Sequence, residues 1–359
     1  MYRPSFRLIK KLLLFLFVSS YVSYGCANDS QRIRSRPPQE ILQTPPLIPP
    51  HVQTDPYKFR LSAWFSNPEK YSTSSIQVAD LIRKAELLGV EKIYVSTWRK
   101  GCTAYPSNVM AKWGEAKVCP GFDWLTPMLA AAKKSNITLV PWLEWGLHIP
   151  STSKLRTIGK LPIVEDEVWW DQKAPRLDPF SPEVVSFYSD FILEASTFYG
   201  VKEVHLCDNH ALKNSQLTLK KKTAENFTQT LTDTTARARN LGVSISFSAL
   251  DNIAAKRDYG SDWSEWRKSG LVSNVTSELY PLRFNPSAFP AKAAEEVKAG
   301  ADQLGIYVGA AGNWTEEQML GYMQEAKKLK VGITLFEIGN FVKDKSDESI
   351  RLLHDKIGL

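Results

Sequence analysis

Val204-His205-Leu206-Cys207-Asp208-Asn209-His210 places an acid, an amide and an imidazole directly after two apolar residues spaced for a strand. Reactive groups at the carboxyl end of a strand are where an α/β barrel keeps its chemistry. Three more acids stand at or just past other strand-like runs: Glu144, Glu278 and Glu337. Carboxylates converging on one rim suit glycoside hydrolysis. One protonated carboxyl donates to the leaving oxygen, and one ionised carboxylate attacks or activates water. The bland reading of each acid alone is a capping or ion-paired side chain; the set is more specific than any member. His205, Cys207, Asp208 and His210 have ligand-type side chains, but their spacing fits no standard metal site, so no metal is expected. No Gly-x-Ser-x-Gly elbow and no phosphate loop is present, and no cofactor is expected.

Aromatic residues crowd the same segments. Trp98, Tyr105, Trp142 and Trp145 surround the first candidate acids, and Tyr280 follows Glu278. Flat apolar sugar faces stack on such rings, so these five are candidate substrate platforms, Trp142 suiting core packing equally well, with His205, Asn209, His210 and Glu337 as candidate polar contacts.

The elements that must position these groups follow an alternating rhythm. Strand-like runs occur at 61–65, 92–96, 138–143, 203–207, 243–248, 272–277, 304–308 and 333–336. Helical patterns follow at 76–88, 124–135, 183–199, 222–241, 261–268, 291–299, 316–329 and 348–356. Gly89, Gly200, Gly242, Gly270 and Gly332 stand where helices should end. Eight such units over one domain, residues 58–359, predict a (β/α)8 barrel of the α/β class. An open doubly wound sheet is the runner-up, and it lacks the Gly-x-Gly-x-x-Gly that would follow its first strand. The long strand-to-helix loops are 97–123, 144–182 and 208–221, and loops of that length in a barrel are usually functional.

Ahead of the domain, residues 1–25 read as an export signal: Arg3, Arg7, Lys10 and Lys11, then an apolar run from Leu12 to Val18, then Ser23-Tyr24-Gly25-Cys26. That apolar run is too short for a confident membrane span. Gly25-Cys26 is similar to the end of a bacterial lipoprotein signal, which makes Cys26 a candidate lipidation site and a membrane a partner through that lipid. Plain secretion is the alternative. Residues 26–57 are rich in proline and polar residues and read as an extended linker. The formal charge of +7 owes four positives to the leader, so the domain carries little basic bias and no nucleic-acid partner is expected. In an exported protein Cys102 and Cys119, in one loop, are expected to pair as a disulfide, which leaves Cys207 as a lone thiol.

Several motifs together carry a family resemblance. They are Arg60-Leu61-Ser62-Ala63-Trp64 with Ser66-Asn67; Trp98-Arg99-Lys100-Gly101 with Tyr105-Pro106-Ser107; and Pro141-Trp142-Leu143-Glu144-Trp145-Gly146-Leu147. To these are added Asp178-Pro179-Phe180 with Pro182-Glu183-Val184, and Asp262-Trp263 with Trp266. From about Arg60 to Phe341 the chain resembles the glycosyl hydrolase-like 10 family of exported bacterial barrel glycosidases. The resemblance implies a (β/α)8 fold, an extracytoplasmic location, and hydrolysis of a glycan, with cell-wall polysaccharide as the substrate class. Two departures stand out. Cys207 occupies the place of the first acid of the family's Asp-Asp pair, and Glu278 that of a usual glutamine. The expected catalytic residues are Glu144, Asp208 and Glu278, with Asp208 as nucleophile or base and Glu144 or Glu278 as acid. A glycan-binding protein on a barrel that has lost catalysis is the alternative, and an amylase-like enzyme a weaker third reading.

Overall fold

In the computed structural model of the protein, the structure describes residues 59–71, 73–164, 168–169, 172–279, 286–307 and 315–358. The leader, the linker, Cys26 and Tyr280 lie outside the described residues.

Eight parallel strands close into a barrel. They are β1 (Leu61–Phe65), β2 (Val90–Ser96), β3 (Thr138–Trp142), β4 (Glu203–Cys207), β5 (Ser244–Leu250), β6 (Asn274–Glu278), β7 (Gln303–Tyr307) and β8 (Gly332–Phe336). Each strand pairs with its sequence neighbours, and β8 closes on β1 through Leu61↔Ile333 to Trp64↔Phe336. The principal outer helices are α1 (Ser75–Leu87), α2 (Leu125–Ala132), α3 (Pro182–Tyr199), α4 (Ala224–Asn240), α5 (Trp263–Lys268), α6 (Phe289–Ala299), α7 (Glu316–Lys328) and α8 (Asp347–Ile357). The (β/α)8 expectation is met.

Local chemistry sets these boundaries. Ser181 caps α3 through the Glu183 and Val184 N–H groups, Pro182 stands in its first turn, and Gly200 ends it at φ +67°. Thr315 caps α7, with Gln318 reaching back to the Thr315 N–H. Gly332 departs from the helix-ending role expected of it. Lys330 takes the left-handed turn at φ +57°, and Gly332 opens β8, where an added Cβ would lie 2.9 Å from the Arg60 carbonyl oxygen.

The period-2 alternation of the strands divides the interior into two packings. Outward residues such as Ala63, Val95, Leu139, Val204, Leu206, Phe247 and Ile306 join the helices in the main core. Inward residues build layers inside the barrel. At the base, Lys92 pairs with Glu203 at 2.7 Å. Gln303 donates to Ser62 Oγ at 2.9 Å and accepts from Thr334 and Thr276 at 2.6 and 3.2 Å, so each of its oxygen lone pairs has a partner. Trp64, Tyr94, Val140 and Trp142 then form a buried apolar layer with Phe336 against it. The carboxyl groups lie above that layer, at the strand ends.

Candidate active site

Four acids reach the carboxyl face from four strands. Glu144 follows β3, Asp208 opens the short turn Asp208–His210 after β4, Glu278 ends β6, and Glu337 follows β8. Strand alternation alone brings Glu278 to the interior. The other three depend on how the chain turns off its strand.

Glu144 is held on both oxygens. Ser66 Oγ donates to Oε1 at 2.8 Å, and Ser96 Oγ donates to Oε2. Its backbone carbonyl is held as well, by Asn209 Nδ2 at 2.8 Å and by the Cys207 thiol at 3.2 Å. Burial pushes the Glu144 carboxyl above the usual range, against the pull of the two hydroxyls and of the Arg99 and Lys100 charges.

Glu337 is almost fully enclosed, at 2% exposure. Its Oε2 accepts from the Ser66 N–H at 2.7 Å and the Asn67 N–H at 3.3 Å, and its Oε1 faces the Gly339 N–H at 3.3 Å. Burial, with some repulsion from Glu144, pushes it up to about 8. It ties the end of β8 to the end of β1.

Asp208 and Glu278 keep part of their surface open while lying deep among protein atoms. Burial raises both, and the Asp208 charge raises Glu278 further, so Glu278 is pushed well above the carboxylate range. Asp208 is pushed to about 6, with the Arg176 charge and nearby backbone N–H groups favouring its ionised form. Two like charges in one recess do not ionise together, and here the second proton is held on Glu278. The Cys207 thiol is buried and raised by burial and by Asp208, so it stays protonated and serves as a donor to the Glu144 carbonyl.

Many of the expected substrate contacts lie instead in packing. Trp98 donates to the Gly146 carbonyl at 3.2 Å and packs edge-on against Phe191 of α3. Tyr105 stacks on Phe198 at 4.1 Å. These two rings seat the loop after β2 on α3, which is why a loop reading mistook them for platforms. Trp145 belongs to the main core, and Trp142 to the layer under the carboxyls. His205 is wholly buried: its Nε2 accepts from Trp64 Nε1 at 3.2 Å, its Nδ1–H donates to Ser246 Oγ at 2.9 Å, and its ring stacks on Tyr94 at 3.9 Å. His210 packs edge-on to Tyr188 with Nδ1 3.2 Å from the Cys207 carbonyl oxygen. Burial holds both imidazoles neutral, His205 well below its ordinary value and His210 at about 3. Asn209 is partly exposed at the rim. Cys102 and Cys119 form a disulfide in the loop after β2.

Four residues near the acids were not among the candidate site residues: Ser66 and Arg99, which stand inside motifs of the family resemblance, and Ser96 and Arg176, which stand outside them. In sequence, both serines show no more than a polar residue at a strand end. Arg99 is 5% exposed, donates to the Ser66 carbonyl at 3.2 Å and pairs with Glu69.

This arrangement has known counterparts in fold. The PgaB (BpsB) glycoside hydrolase domain from Bordetella bronchiseptica superposes with a TM-score of 0.58 at 11% identity, over 82% of this chain and 98% of that one. Alpha-L-fucosidase isoenzyme 2 from Paenibacillus thiaminolyticus gives 0.53 at 12%, over 84% of this chain and 49% of that one. The catalytic domain of β-amylase from Paenibacillus polymyxa gives 0.53 at 10%, over 79% and 93%. At these identities the likeness is one of fold. No curated protein matches the chain. The model of the glycosyl hydrolase-like 10 family matches residues 61–240, which hold Glu144, Asp208 and the loops around them. The chain belongs to the glycosyl hydrolase-like 10 family.

Proposed function

We propose that the protein is a glycoside hydrolase in which Glu278 is the general acid and Asp208 the nucleophile or base. The observation that carries this reading is the pair itself: two carboxyls on neighbouring parts of the rim, one held protonated and the other ionising near neutrality. That division of labour is what glycosidic cleavage needs. Glu278 donates its proton to the leaving oxygen. Asp208 attacks the anomeric carbon or activates water. Glu144 is a less suitable acid, because both its oxygens already accept from serine hydroxyls; it serves as the anchored acceptor beside them.

The substrate we infer is a bacterial cell-wall or extracellular glycan, met outside the cytoplasm. The basic and apolar leader, Gly25-Cys26 and the proline-rich linker support export and a lipid tether. The test is incubation of the purified domain with peptidoglycan, extracellular polysaccharides and α-glucans, with products read by mass spectrometry. Wild-type protein releases oligosaccharides from one of them, and Asp208→Asn and Glu278→Gln do not. Undiminished cleavage by either variant removes that residue from the mechanism.

A second reading, glycan binding without cleavage, draws on Cys207, where the family resemblance implies an acid. Retention on a polysaccharide with no product from any substrate favours it.

A further inference from the structure

Arg176 lies in the long loop between β3 and α3, outside every motif in the chain. It is 3% exposed, and its surroundings are built rather than incidental. An antiparallel bridge sets its backbone against His148. His148, fully buried, lies 3.2 Å through Nδ1 from the Ala174 carbonyl oxygen, so Nδ1 carries the proton and Nε2 is an acceptor. Arg176 Nη2 donates to that Nε2 at 2.7 Å. Arg176 Nη1 donates to the Ala211 carbonyl oxygen. The N–H of Ala211 in turn donates to the Asp208 carbonyl oxygen at 2.8 Å, closing the turn that carries the Asp208 side chain. A buried guanidinium is costly unless its hydrogen bonds are met, and here one of them anchors Arg176 to His148 while the other grips a turn of the candidate site.

We propose that Arg176 is a positioning residue for Asp208: pinned by His148, it fixes the turn after β4 and places a permanent positive charge beside the Asp208 carboxylate. This rests on the reading of Asp208 as the ionised member of the pair. The groups that face Asp208 are Glu278 from β6, the Cys207 thiol from its own strand, and Arg176; His210, two residues on, is neutral. Of these, Arg176 alone brings positive charge. Without it, Asp208 and Glu278 compete for protons in a buried recess with only the backbone N–H groups at Asp208 and Asn209 to favour ionisation of Asp208 over Glu278. The nearby guanidinium adds the charge that favours ionisation of Asp208 first.

The experiment is a direct titration, which needs no substrate. Full-length protein labelled with carboxyl-13C aspartate is titrated by NMR, and the Asp208 resonance is identified by its loss in Asp208→Asn. Removing a neighbouring positive charge disfavours the carboxylate, so Arg176→Met raises the Asp208 midpoint by about one pH unit. Arg176→Lys keeps the charge and leaves the midpoint within about 0.3 unit of wild type, while losing the planar grip on Ala211 and His148. A midpoint that does not move in folded Arg176→Met overturns the proposal. Should Arg176→Met fail to fold, Arg176→Gln takes its place. A rise in Gln but not in Lys supports the proposal, and equal midpoints overturn it. Where the protein cleaves a glycan, Arg176→Met also moves the acid limb of kcat/KM upward by the same amount. Absence of cleavage in wild type bears on the proposed function alone, because the titration is read without it.

Discussion

Glu144 and Glu337 hold Ser66 from two sides. The Ser66 hydroxyl donates to Glu144 at 2.8 Å and its N–H to Glu337 at 2.7 Å. One residue at the end of β1 therefore links the acid after β3 to the acid after β8. Ser66→Ala keeps the link to Glu337 and cuts the one to Glu144. The expected cost in stability is about 1 kcal/mol, the ordinary value for one buried hydrogen bond. Glu144 is then freer and holds its proton more tightly. Thermal unfolding gives the first quantity; if the proposed hydrolysis is found, kcat falls roughly tenfold with little change in KM.

If the proposed hydrolysis is found, the Asp208–Glu278 pair fixes the shape of its pH–rate profile. Asp208 must be ionised, so activity rises as pH passes about 6. Glu278 must be protonated, and burial beside Asp208 keeps it so well above the ordinary carboxylate range, so activity falls only beyond neutrality. A plot of kcat/KM from pH 4 to 10 is expected to be bell-shaped with its acid limb near 6. A profile rising through pH 4 with no alkaline decline contradicts the assignment.

Glu337 makes a separate prediction about stability. Its folded value is raised to about 8, while the unfolded chain ionises in the ordinary carboxylate range. Between those values the folded state binds more protons than the unfolded state, so stability falls as pH rises across that window. The melting temperature at pH 8 should lie several degrees below that at pH 5.5. Glu337→Gln keeps an oxygen for the Ser66 and Asn67 N–H groups and removes the titration, so its melting temperature varies less between the two pH values. An equal slope in wild type and variant assigns the dependence elsewhere.

Gly146 sits where the turns after β3 and β4 touch. Its φ is +50°, and an added Cβ would lie 2.4 Å from the backbone carbonyl carbon and oxygen of Asn209. Backbone cannot swing aside as a side-chain tip can. Gly146→Ala should cost roughly 1–3 kcal/mol, as overpacking generally does, and should disturb Asn209 and Asp208 together. Differential scanning calorimetry checks the first. The Asp208 resonance described above checks the second.

Cys207 is buried, and both burial and the neighbouring Asp208 keep its thiol protonated. Native protein exposed to iodoacetamide at pH 7.5 should leave Cys207 unmodified in peptide mass spectra, and urea-unfolded protein should carry the label there. Cys207→Ser keeps a donor for the Glu144 carbonyl and should fold. Cys207→Asp adds a third acid beside Asp208 and Glu278, so it should fold best at low pH and lose melting temperature faster than wild type as pH rises.

The fold was legible because alternation of strand and helix is written in period and in turn residues. Leu61–Phe65 and Glu203–Cys207 coincide with the expected runs, and the other barrel strands differ at one or both ends. The facing of β4 was legible for the same reason: Val204 and Leu206 pack outward and His205 and Cys207 inward. The acids were legible by type and by place at strand ends. Their ranking was not. What separates Glu278 from Glu144 is their partners, two serine hydroxyls on one and an adjacent carboxylate on the other, and partners come from distant strands. The aromatic rings misled for a related reason. A tryptophan in a loop can face a sugar or seat the loop, and Trp98 and Tyr105 seat theirs on α3, whose packing face no local pattern reveals. Arg176 was invisible because its function depends on a bridge to His148 formed by two stretches of one long loop.

Trp64 lends the recess its floor, and it does so by borrowing space from another strand. An added Cβ on Gly305 of β7 would lie 2.8 Å from the Trp64 ring, so β7 offers no side chain at that level and the indole extends into the vacancy. The floor at that level is thus shared by Trp64, Tyr94, Val140, Trp142 and Phe336, with β7 contributing no side chain to it. Trp64→Leu would hollow the barrel beneath the carboxyls, whereas any side chain added at Gly305 would meet the Trp64 ring.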